Sequence, residues 1–322
     1  MKKIAVLTSG GDSPGMNAAV RAVMRSCKYF GYQAVGVRFG YKGLIEGDFI
    51  DFRDADASGI IQRGGTILKS ARSEEFRTSA GRKKAAGHIK DKGIEALITI
   101  GGDGTFRGAT ILGQEHGINV IGIPGTIDND LIGSDETIGY DTALNTAMEA
   151  IDKIRDTADA HERLFLIEVM GRDAGFIALE TGIASGAELI ILPEKRTDMN
   201  EIRQSLKEIL KVQRRSTLVI IAEGDESGGA LKISEKLEAD FKDYEMRVCI
   251  LGHIQRGGSP TAHDRVLASR LGYEAVKAVN DGLSEVMVGV INHKLKITPL
   301  HETFGVKKEI NYDLVELYKV LR

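Results

Sequence analysis

Short apolar runs recur along the chain, separated by longer segments of helical period. The runs KIAVLT (3–8), QAVGVR (33–38), EALITI (95–100), NVIGI (119–123), RLFLIEVM (163–170), ELIILP (188–193), TLVIIAEG (217–224), RVCILG (247–252) and VMVGVI (286–291) read as strands. They are continuous rather than alternating, the pattern of strands covered on both faces. Helix-period segments fall between them, for example at 17–29, 82–92, 141–156, 199–212 and 263–280. This alternation predicts an α/β fold, doubly wound, built as two such units.

The polar positions of the helices are also patterned. The first helix places Val20, Val23, Met24 and Cys27 on one face, with Arg21, Arg25 and Lys28 on an adjacent stripe. In 141–156, Leu144, Met148 and Ile151 form an apolar stripe, and Arg155 falls on its continuation. Two readings of Arg155 stay open. It is either a snorkelling arginine at the negative end of the helix dipole or one that meets an anion.

Length and composition narrow the class. A chain of 322 residues suggests two domains with ample core. Its net charge of −3 is too near balance to argue for nucleic acid or an anionic membrane as partner. No apolar run approaches the ~18 residues that span a bilayer, and MKKIAVLTSGGD has too short an apolar stretch for a secretory signal. Cys27 and Cys249, without a CxxC pair, point to reduced thiols and a cytoplasmic protein. The 38 glycines exceed the usual ~7% share, so many backbone positions need positive φ or close approach.

The glycines cluster where strands end. Three predicted strands run into Gly-rich turns: TSGGDSPGMN (8–17), IGGDGTF (100–106) and IPGTIDNDL (123–131). Glycines there let backbone N–H groups approach a phosphate, and a helix N-terminus adds partial positive charge. One such turn is equally a tight βα connection, but three at strand C-termini predict a shared ligand site. There is no G-x-x-x-x-G-K-[ST], and the first loop is not G-x-G-x-x-G, which excludes a P-loop NTPase and disfavours a nicotinamide enzyme.

Acids sit among these loops. Asp103 lies between Gly102 and Gly104, and a carboxylate in a phosphate cradle makes electrostatic sense with Mg²⁺ between the anions. An Asx-turn is the structural alternative. Asp128 and Asp130, two apart, would share a side in an extended segment; one can serve as general base and the other can stay near the metal. Thr126 can donate to a phosphoryl oxygen. Asp135, Glu136 and Asp141 read as loop and helix-start acids. Arg72, Arg163, Arg172, Arg247 and Arg256 stand at strand ends or in Gly-rich turns, where arginine suits bidentate phosphate recognition. His253, three residues before Arg256, reads as a substrate contact, and Glu223 ends another strand.

These residues resemble the bacterial ATP-type 6-phosphofructokinases. The resemblance runs end to end through LTSGGDSPGMNAA (7–19), QRGGTILKSAR (62–72), IGGDGT (100–105), PGTIDND (124–130), IDKIRDT (151–157), EVMGRDAG (168–175) and LGHIQRGGSPTAHDR (251–265). It implies two three-layer α/β/α domains, 1–139 with 252–302 for ATP and 140–251 with 303–322 for the sugar phosphate. It implies Mg²⁺-dependent transfer from ATP to fructose 6-phosphate in glycolysis. Asp128 would be the base, Asp103 the metal carboxylate, and Arg72, Arg172 and Thr126 would stabilise the transferring group. Gly11, Tyr41, Arg72, Ser73, Gly102, Asp103, Gly104 and Thr105 would hold ATP. Thr126, Asp128, Met170, Gly171, Arg172, Glu223, His253 and Arg256 would hold the sugar phosphate. Arg163 and Arg247 would reach in from a neighbour, implying a homotetramer with shared sites.

The resemblance also bears on donor and regulation. Pyrophosphate-using relatives carry an Asp where Gly104 stands and a Lys where Gly125 stands, so both glycines argue for ATP, Gly125 most strongly. An ADP or phosphoenolpyruvate effector would use Arg21, Arg25, Arg155, Gly186, Glu188, Arg214 and Arg215. Asp54, Gly59 and Val212 depart from the effector pattern, and Phe176 replaces a usual Asp, so anion binding there should be weak. The alternatives are a pyrophosphate-dependent or other sugar-phosphate kinase of this fold, and a non-enzymatic nucleotide sensor.

Overall fold

The computed structural model describes residues 1–161, 163–195, 198–212 and 216–322. Its strands are β1 (Lys3–Thr8), β2 (Gln33–Val37), β3 (Phe49–Asp51), β4 (Ile94–Gly101), β5 (Asn119–Pro124), β6 (Leu164–Val169), β7 (Leu189–Ile191), β8 (Thr217–Ala222), β9 (Met246–Ile250), β10 (Val286–Ile291) and β11 (Lys294–Pro299). Its helices are α1 (Met16–Tyr29), α2 (Gly40–Glu46), α3 (Ser79–Asp91), α4 (Asp103–His116), α5 (Tyr140–His161), α6 (Phe176–Ala184), α7 (Met199–Val212), α8 (Gly229–Leu237), α9 (Ala262–Asn280) and α10 (Tyr312–Leu321).

The first unit holds Met1–Ile127, Leu131–Thr142 and Arg256–Lys308. Its sheet has the order β11-β10-β5-β4-β1-β2-β3. The five central strands are parallel, whereas β10–β11 and β2–β3 are antiparallel. Successive side chains of a strand point to opposite faces. Ile4 and Val6 of β1 therefore pack with Val20, Val23 and Leu271 beneath α1 and α9, while Ala5 and Leu7 pack with Leu44, Ile89 and Phe106 beneath α2, α3 and α4. Burial on both faces is why the strand reads as an unbroken apolar run. Each fully buried Leu, Ile or Phe contributes about 1.5–3 kcal/mol.

The edges escape that pattern. In β11 burial alternates, with Leu295 and Ile297 on the packed side and lysines outward, so KLKITP carries no continuous signal. Asn292 and His293, both at positive φ (51° and 61°), make the two-residue turn that joins β10 to β11.

The second unit holds Asp128–Asp130, Ala143–Gln255 and Glu309–Arg322. Its sheet is parallel, in the order β7-β8-β6-β9. Leu164, Leu166, Val219 and Ile221 meet Ile202 and Leu206 of α7 and Ile233 of α8, while α6 packs on β7 and β8. One expectation needs correcting here. The run 247–252 reads as covered on both faces, yet β9 is the sheet edge, with Arg247 and Ile250 exposed.

Asp128–Asp130, expected in the first unit, group with the second; otherwise the chain passes between units at 142/143, 255/256 and 308/309, a few residues from the expected 139/140, 251/252 and 302/303. Local bonds account for the shifts. Gly139 and Thr142 donate to Asp264, which keeps the first turn of α5 with the first unit. Met170 N–H donates to Gln255 Oε1 at 3.3 Å, which holds 252–255 in the second. Lys308 Nζ donates to the Ser134 and Asp135 carbonyls at 2.8 and 2.9 Å, returning 303–308 to the first.

Arg82 of α3, buried in the first unit, ties two helices and a turn. Its Nε and Nη2 donate to Glu115 of α4 at 2.6 and 2.7 Å, and its Nη1 donates to the Phe76 and Arg77 carbonyls at 3.1 and 2.7 Å. The Arg82 hydrogen bonds hold the Glu115 carboxyl below its usual range. A depressed carboxyl pKa contributes stability that is present above the unfolded value, about 4.3 for glutamate, and lost as pH falls through the folded value. Glu115→Gln should therefore flatten the acid limb of thermal midpoint against pH, and Arg82→Leu should lower the midpoint by a few degrees at pH 7. Calorimetry from pH 3 to 7 checks both.

Candidate active site

The three Gly-rich loops leave β1, β4 and β5, which are adjacent and parallel, so their C-terminal ends lie side by side. Backbone bonds join them. Ser9 N–H donates to Ile100 O at 3.0 Å, Gly125 N–H to Gly101 O at 2.9 Å, and Thr105 Oγ1 to Ser9 O at 3.1 Å. A Cβ on Gly101 would lie 2.3 Å from Thr105 Oγ1 and 2.5 Å from Ser9 O, so this close approach requires glycine. Gly11 is bare for a similar reason, since its Cβ would lie 2.6 Å from Arg256 Nη1, which donates to Asp12 O at 3.3 Å.

Gly102 is the N-cap of α4, and Asp103 is its first residue, so amide N–H groups and the positive dipole end face outward here. The Asp103 Oδ1 atom is buried and accepts no hydrogen bond among the described residues, and its ion pair with Arg107 is long, 3.6 Å. A carboxylate oxygen left in that state at a helix N-terminus fits one ligand of a divalent cation whose other ligands would come from phosphate and water.

The two donor-marking glycines differ. A Cβ on Gly104 would meet nothing within 4 Å among the described residues. A Cβ on Gly125 would lie 2.9 Å from Ile100 Cγ2 and 3.4 Å from Met16 Cε. Gly125 thus has a packing reason to be bare, whatever the ligand, and the weight it carries on sequence grounds passes to Gly104.

Around this centre, Tyr41 stacks on Phe76 with centroids 4.0 Å apart and planes 9° apart, and its hydroxyl donates to the Thr105 carbonyl. Burial pushes the Tyr41 phenol above its ordinary range, so it stays a donor. The segment 62–73, which carries Arg72 and Ser73, is anchored by residues that sequence reasoning passed over. Asn17 Nδ2 donates to Arg63 O and Gly64 O at 3.0 and 3.1 Å, and its Oδ1 accepts from Ile67 N–H at 2.7 Å. Ser70 donates to the Gly10 carbonyl. The one sequence signal for Asn17 is an amide in the first turn of a helix whose neighbours are apolar. Arg72 is exposed and, among the described residues, has no ion-pair partner.

Thr126, Asp128 and Asn129 are buried. Asn129 takes φ 53°, so 128–130 is a bend and not the extended segment on which the same-side expectation for Asp128 and Asp130 rests. Glu136 instead pairs with His263 at 2.7 Å, Asp135 Oδ2 accepts from Asn292 N–H at 2.6 Å, and Asp141 accepts from Thr261 Oγ1.

In the second unit, Met170, Gly171 and Arg172 follow β6. Gly171 has φ 147°, and Arg172 is left-handed at φ 56°, with its N–H donating to Glu223 Oε1 at 2.8 Å. A Cβ on Gly224 would lie 1.8 Å from the Arg172 carbonyl, so β8's exit must be bare for this turn to form. Arg172 and His253 are exposed. Arg163 and Arg247 precede and lie on neighbouring strands β6 and β9, and both meet Glu245, Arg163 through Nε at 2.7 Å. The Arg163 hydrogen bond, with the charges of both arginines, holds Glu245 below the usual carboxyl range.

The residues expected to meet an effector are more divided. Arg21 and Arg25 have no ion-pair partner among the described residues. Arg155 is engaged within the chain, donating to the Ser185 and Gly186 carbonyls at 2.8 and 2.9 Å with Glu188 3.7 Å away. Because α5 runs on to His161, Arg155 stands within the helix and not at its end, and the carbonyls it holds are those that close α6. Asp54 pairs with Lys28, Phe176 is a buried core residue, and Gly59 is exposed at φ 68°. Arg214 and Arg215, and the Val212 side chain, lie outside the described residues.

Residues 3–279 match the family described as Phosphofructokinase. The ATP-dependent 6-phosphofructokinase 1 of Thermus thermophilus is 54% identical over 321 residues, covering 100% of this chain and 99% of that one. Phosphofructokinase of Pichia pastoris in the T-state has TM-score 0.88 and 36% identity over 94% of this chain, which spans 35% of that longer chain. A pyrophosphate-dependent phosphofructokinase of Marinobacter aquaeolei has TM-score 0.85 at 21% identity over 97% of this chain and 86% of its own, a likeness of fold alone. With the three loop ends, the Arg172 turn and the His253–Arg256 turn all inside the matched span, the chain belongs to the phosphofructokinase family.

Proposed function

We propose that this protein transfers the γ-phosphoryl group of ATP to the 1-hydroxyl of fructose 6-phosphate, giving fructose 1,6-bisphosphate and ADP, a glycolytic reaction. One observation carries the donor: the open space at the Gly104 Cβ position on the α4 N-terminus. An Asp side chain there would place a carboxylate against the donor's polyphosphate, while glycine leaves room for the rest of a nucleotide.

In this reading the first unit binds ATP with Gly11, Tyr41, Arg72, Ser73, Gly102, Asp103, Gly104 and Thr105. Asp103 would hold Mg²⁺, which supplies charge neutralisation on the phosphates. The sugar phosphate is bound by Met170, Gly171, Arg172, Glu223, His253 and Arg256. Asp128 takes the proton from the 1-hydroxyl as its oxygen bonds to the γ-phosphorus, and the bond to the β–γ bridging oxygen breaks to release ADP. Arg72, Arg172 and the Thr126 hydroxyl stabilise the charge of the transferring group. Glu223, by accepting from Arg172 N–H, sets the turn that aims this arginine.

Arg163 and Arg247 serve the sugar phosphate of a neighbouring copy in a homotetramer with shared sites. The exposed edge β9, with Arg247 and Ile250 outward, supports that assembly. No helix among the described residues is long and apolar enough to cross a membrane, and a cytoplasmic location goes with the proposed pathway. An ADP or phosphoenolpyruvate response would be weak, because Arg155 is already bonded and Lys28 is neutralised by Asp54.

In a coupled assay with fructose 6-phosphate and Mg²⁺, ATP should support turnover and pyrophosphate should not; equal rates would overturn the donor assignment. Gly104→Asp should lower ATP turnover on the order of tenfold or more with an unchanged thermal midpoint. Gly125→Ala, by contrast, should lower the midpoint.

Asp128→Ser should reduce turnover by on the order of 10²–10⁴ while ATP still binds. Unchanged turnover removes Asp128 from the mechanism.

Mixing Arg163→Ala chains with Asp128→Ser chains under exchange conditions should restore part of the activity. Folded mixed assemblies with no recovery would argue against shared sites.

A further inference from the structure

Asp264 is fully buried in the first turn of α9 and has no cationic partner among the described residues. Burying a carboxylate without a cation costs several kcal/mol unless hydrogen bonds replace its hydration. Three donors do so, all from the start of α5, some 120 residues away in the chain. Gly139 N–H donates to Oδ1 at 2.7 Å, and Thr142 N–H and Oγ1 donate to Oδ2 at 2.8 and 2.5 Å. Asp264 is thus an N-cap supplied to α5 by another helix. If capping were its whole role, a local Ser or Asp at position 139 would serve as well.

Position 139 cannot carry one. Gly139 has φ 101°, and its Cβ would lie 2.6 Å from Ser13 Cβ. Likewise a Cβ on Gly15, at φ 103°, would lie 2.7 Å from Ile138 Cγ2. The segment 137–139 is therefore pressed against the first Gly-rich loop. It also grips the third. Ile138 N–H donates to Pro124 O at 3.0 Å, and Thr137 Oγ1 donates to Thr126 O at 2.5 Å. Thr137 and Ile138 are fully buried, so no water replaces a lost bond without rearrangement.

We infer that Asp264 is a positioning residue for phosphoryl transfer: through Gly139 and Thr142 it fixes the segment 137–139, whose Thr137 hydroxyl and Ile138 amide fix the backbone that presents Thr126 and leads into Asp128. The inference rests on the proposed roles of Thr126 and Asp128. Displacing a reacting group by about 1 Å can cost roughly 10²-fold in rate. A defect in this brace should thus appear in kcat far more than in KM, because the Gly104 loop and the Arg172 turn, which bind substrates, are not in it.

The test compares Asp264→Asn, Thr142→Val and Thr137→Val in the full-length protein, each assayed well below its own thermal midpoint. Thr142→Val and Thr137→Val add no bulk and no charge, so they carry the test if Asp264→Asn fails to fold. The expected result is kcat lower by about tenfold to a hundredfold, with KM for ATP and fructose 6-phosphate within about threefold. Thr142→Val and Thr137→Val combined should lose less than the product of their separate losses, since both act through one segment. Lower midpoints with wild-type kcat per folded molecule would mean a purely structural role and overturn the inference, as would independent, multiplicative losses. Asp128→Ser separates the premises. If it is inactive while these variants are fully active, the positioning role alone fails; if it is fully active, the reading of the loop fails.

Discussion

The register that pairs Ile100 of β4 with Thr8 of β1 on one side and Ile123 of β5 on the other sets where everything else can be. It ends three parallel strands at one level, so that three separate loops can bond to each other and present their amides together. A slip of one residue in any of these strands would exchange its two faces, moving side chains such as Val6 and Ile98 from one packed layer to the other. The two apolar layers therefore specify the site as much as its glycines do. Gly101, whose absent side chain lets Ser9 and Thr105 meet, is where the packing joins two of the loops.

Charge is distributed by the same logic. Arginines that hold the fold are already bonded: Arg82 to Glu115 and two carbonyls, Arg155 to two carbonyls, Arg203 to Asp240. Arg72 and Arg172 have no ion-pair partner among the described residues, yet their backbones are held, Arg72 in the segment anchored by Asn17 and Arg172 by Glu223. An unpaired guanidinium on a fixed backbone keeps its attraction for an incoming phosphate and loses less entropy on binding it. Arg163 and Arg247 are intermediate, since Glu245 engages both and a phosphate would have to compete with it.

What could be read from the chain follows from how local the cause is. The central strands are legible because burial on both faces writes itself as unbroken apolar runs. The β3 strand, three residues long, and β11, with outward lysines, leave no such mark. The loop ends were legible because glycine, acid and helix start are neighbours in sequence. The bend at Asn129 was not, because its left-handed backbone belongs to a residue type that also lies happily in extended chain. Arg155 was misplaced because its apolar stripe fades near 156, whereas α5 continues to His161 and the arginine bonds the Ser185 and Gly186 carbonyls from within the helix. Asp264 was invisible, since the groups that give it meaning lie in another helix far along the chain.

Gly125 and Gly104 make the same distinction at the level of a single atom. Both are glycines in the turns that follow parallel strands, and a sequence assigns each the same permissiveness. At Gly125 the missing Cβ is accounted for by Ile100 and Met16, which would be there with any donor or none. At Gly104 nothing among the described residues occupies the space, φ is not in the left-handed region, and no described neighbour would object to a side chain. When neither packing nor backbone requires glycine, the remaining constraint is what must fit there from outside. On the N-terminus of α4, beside a carboxylate oxygen without a hydrogen bond among the described residues, the proposed occupant is the part of a nucleotide beyond its terminal phosphates.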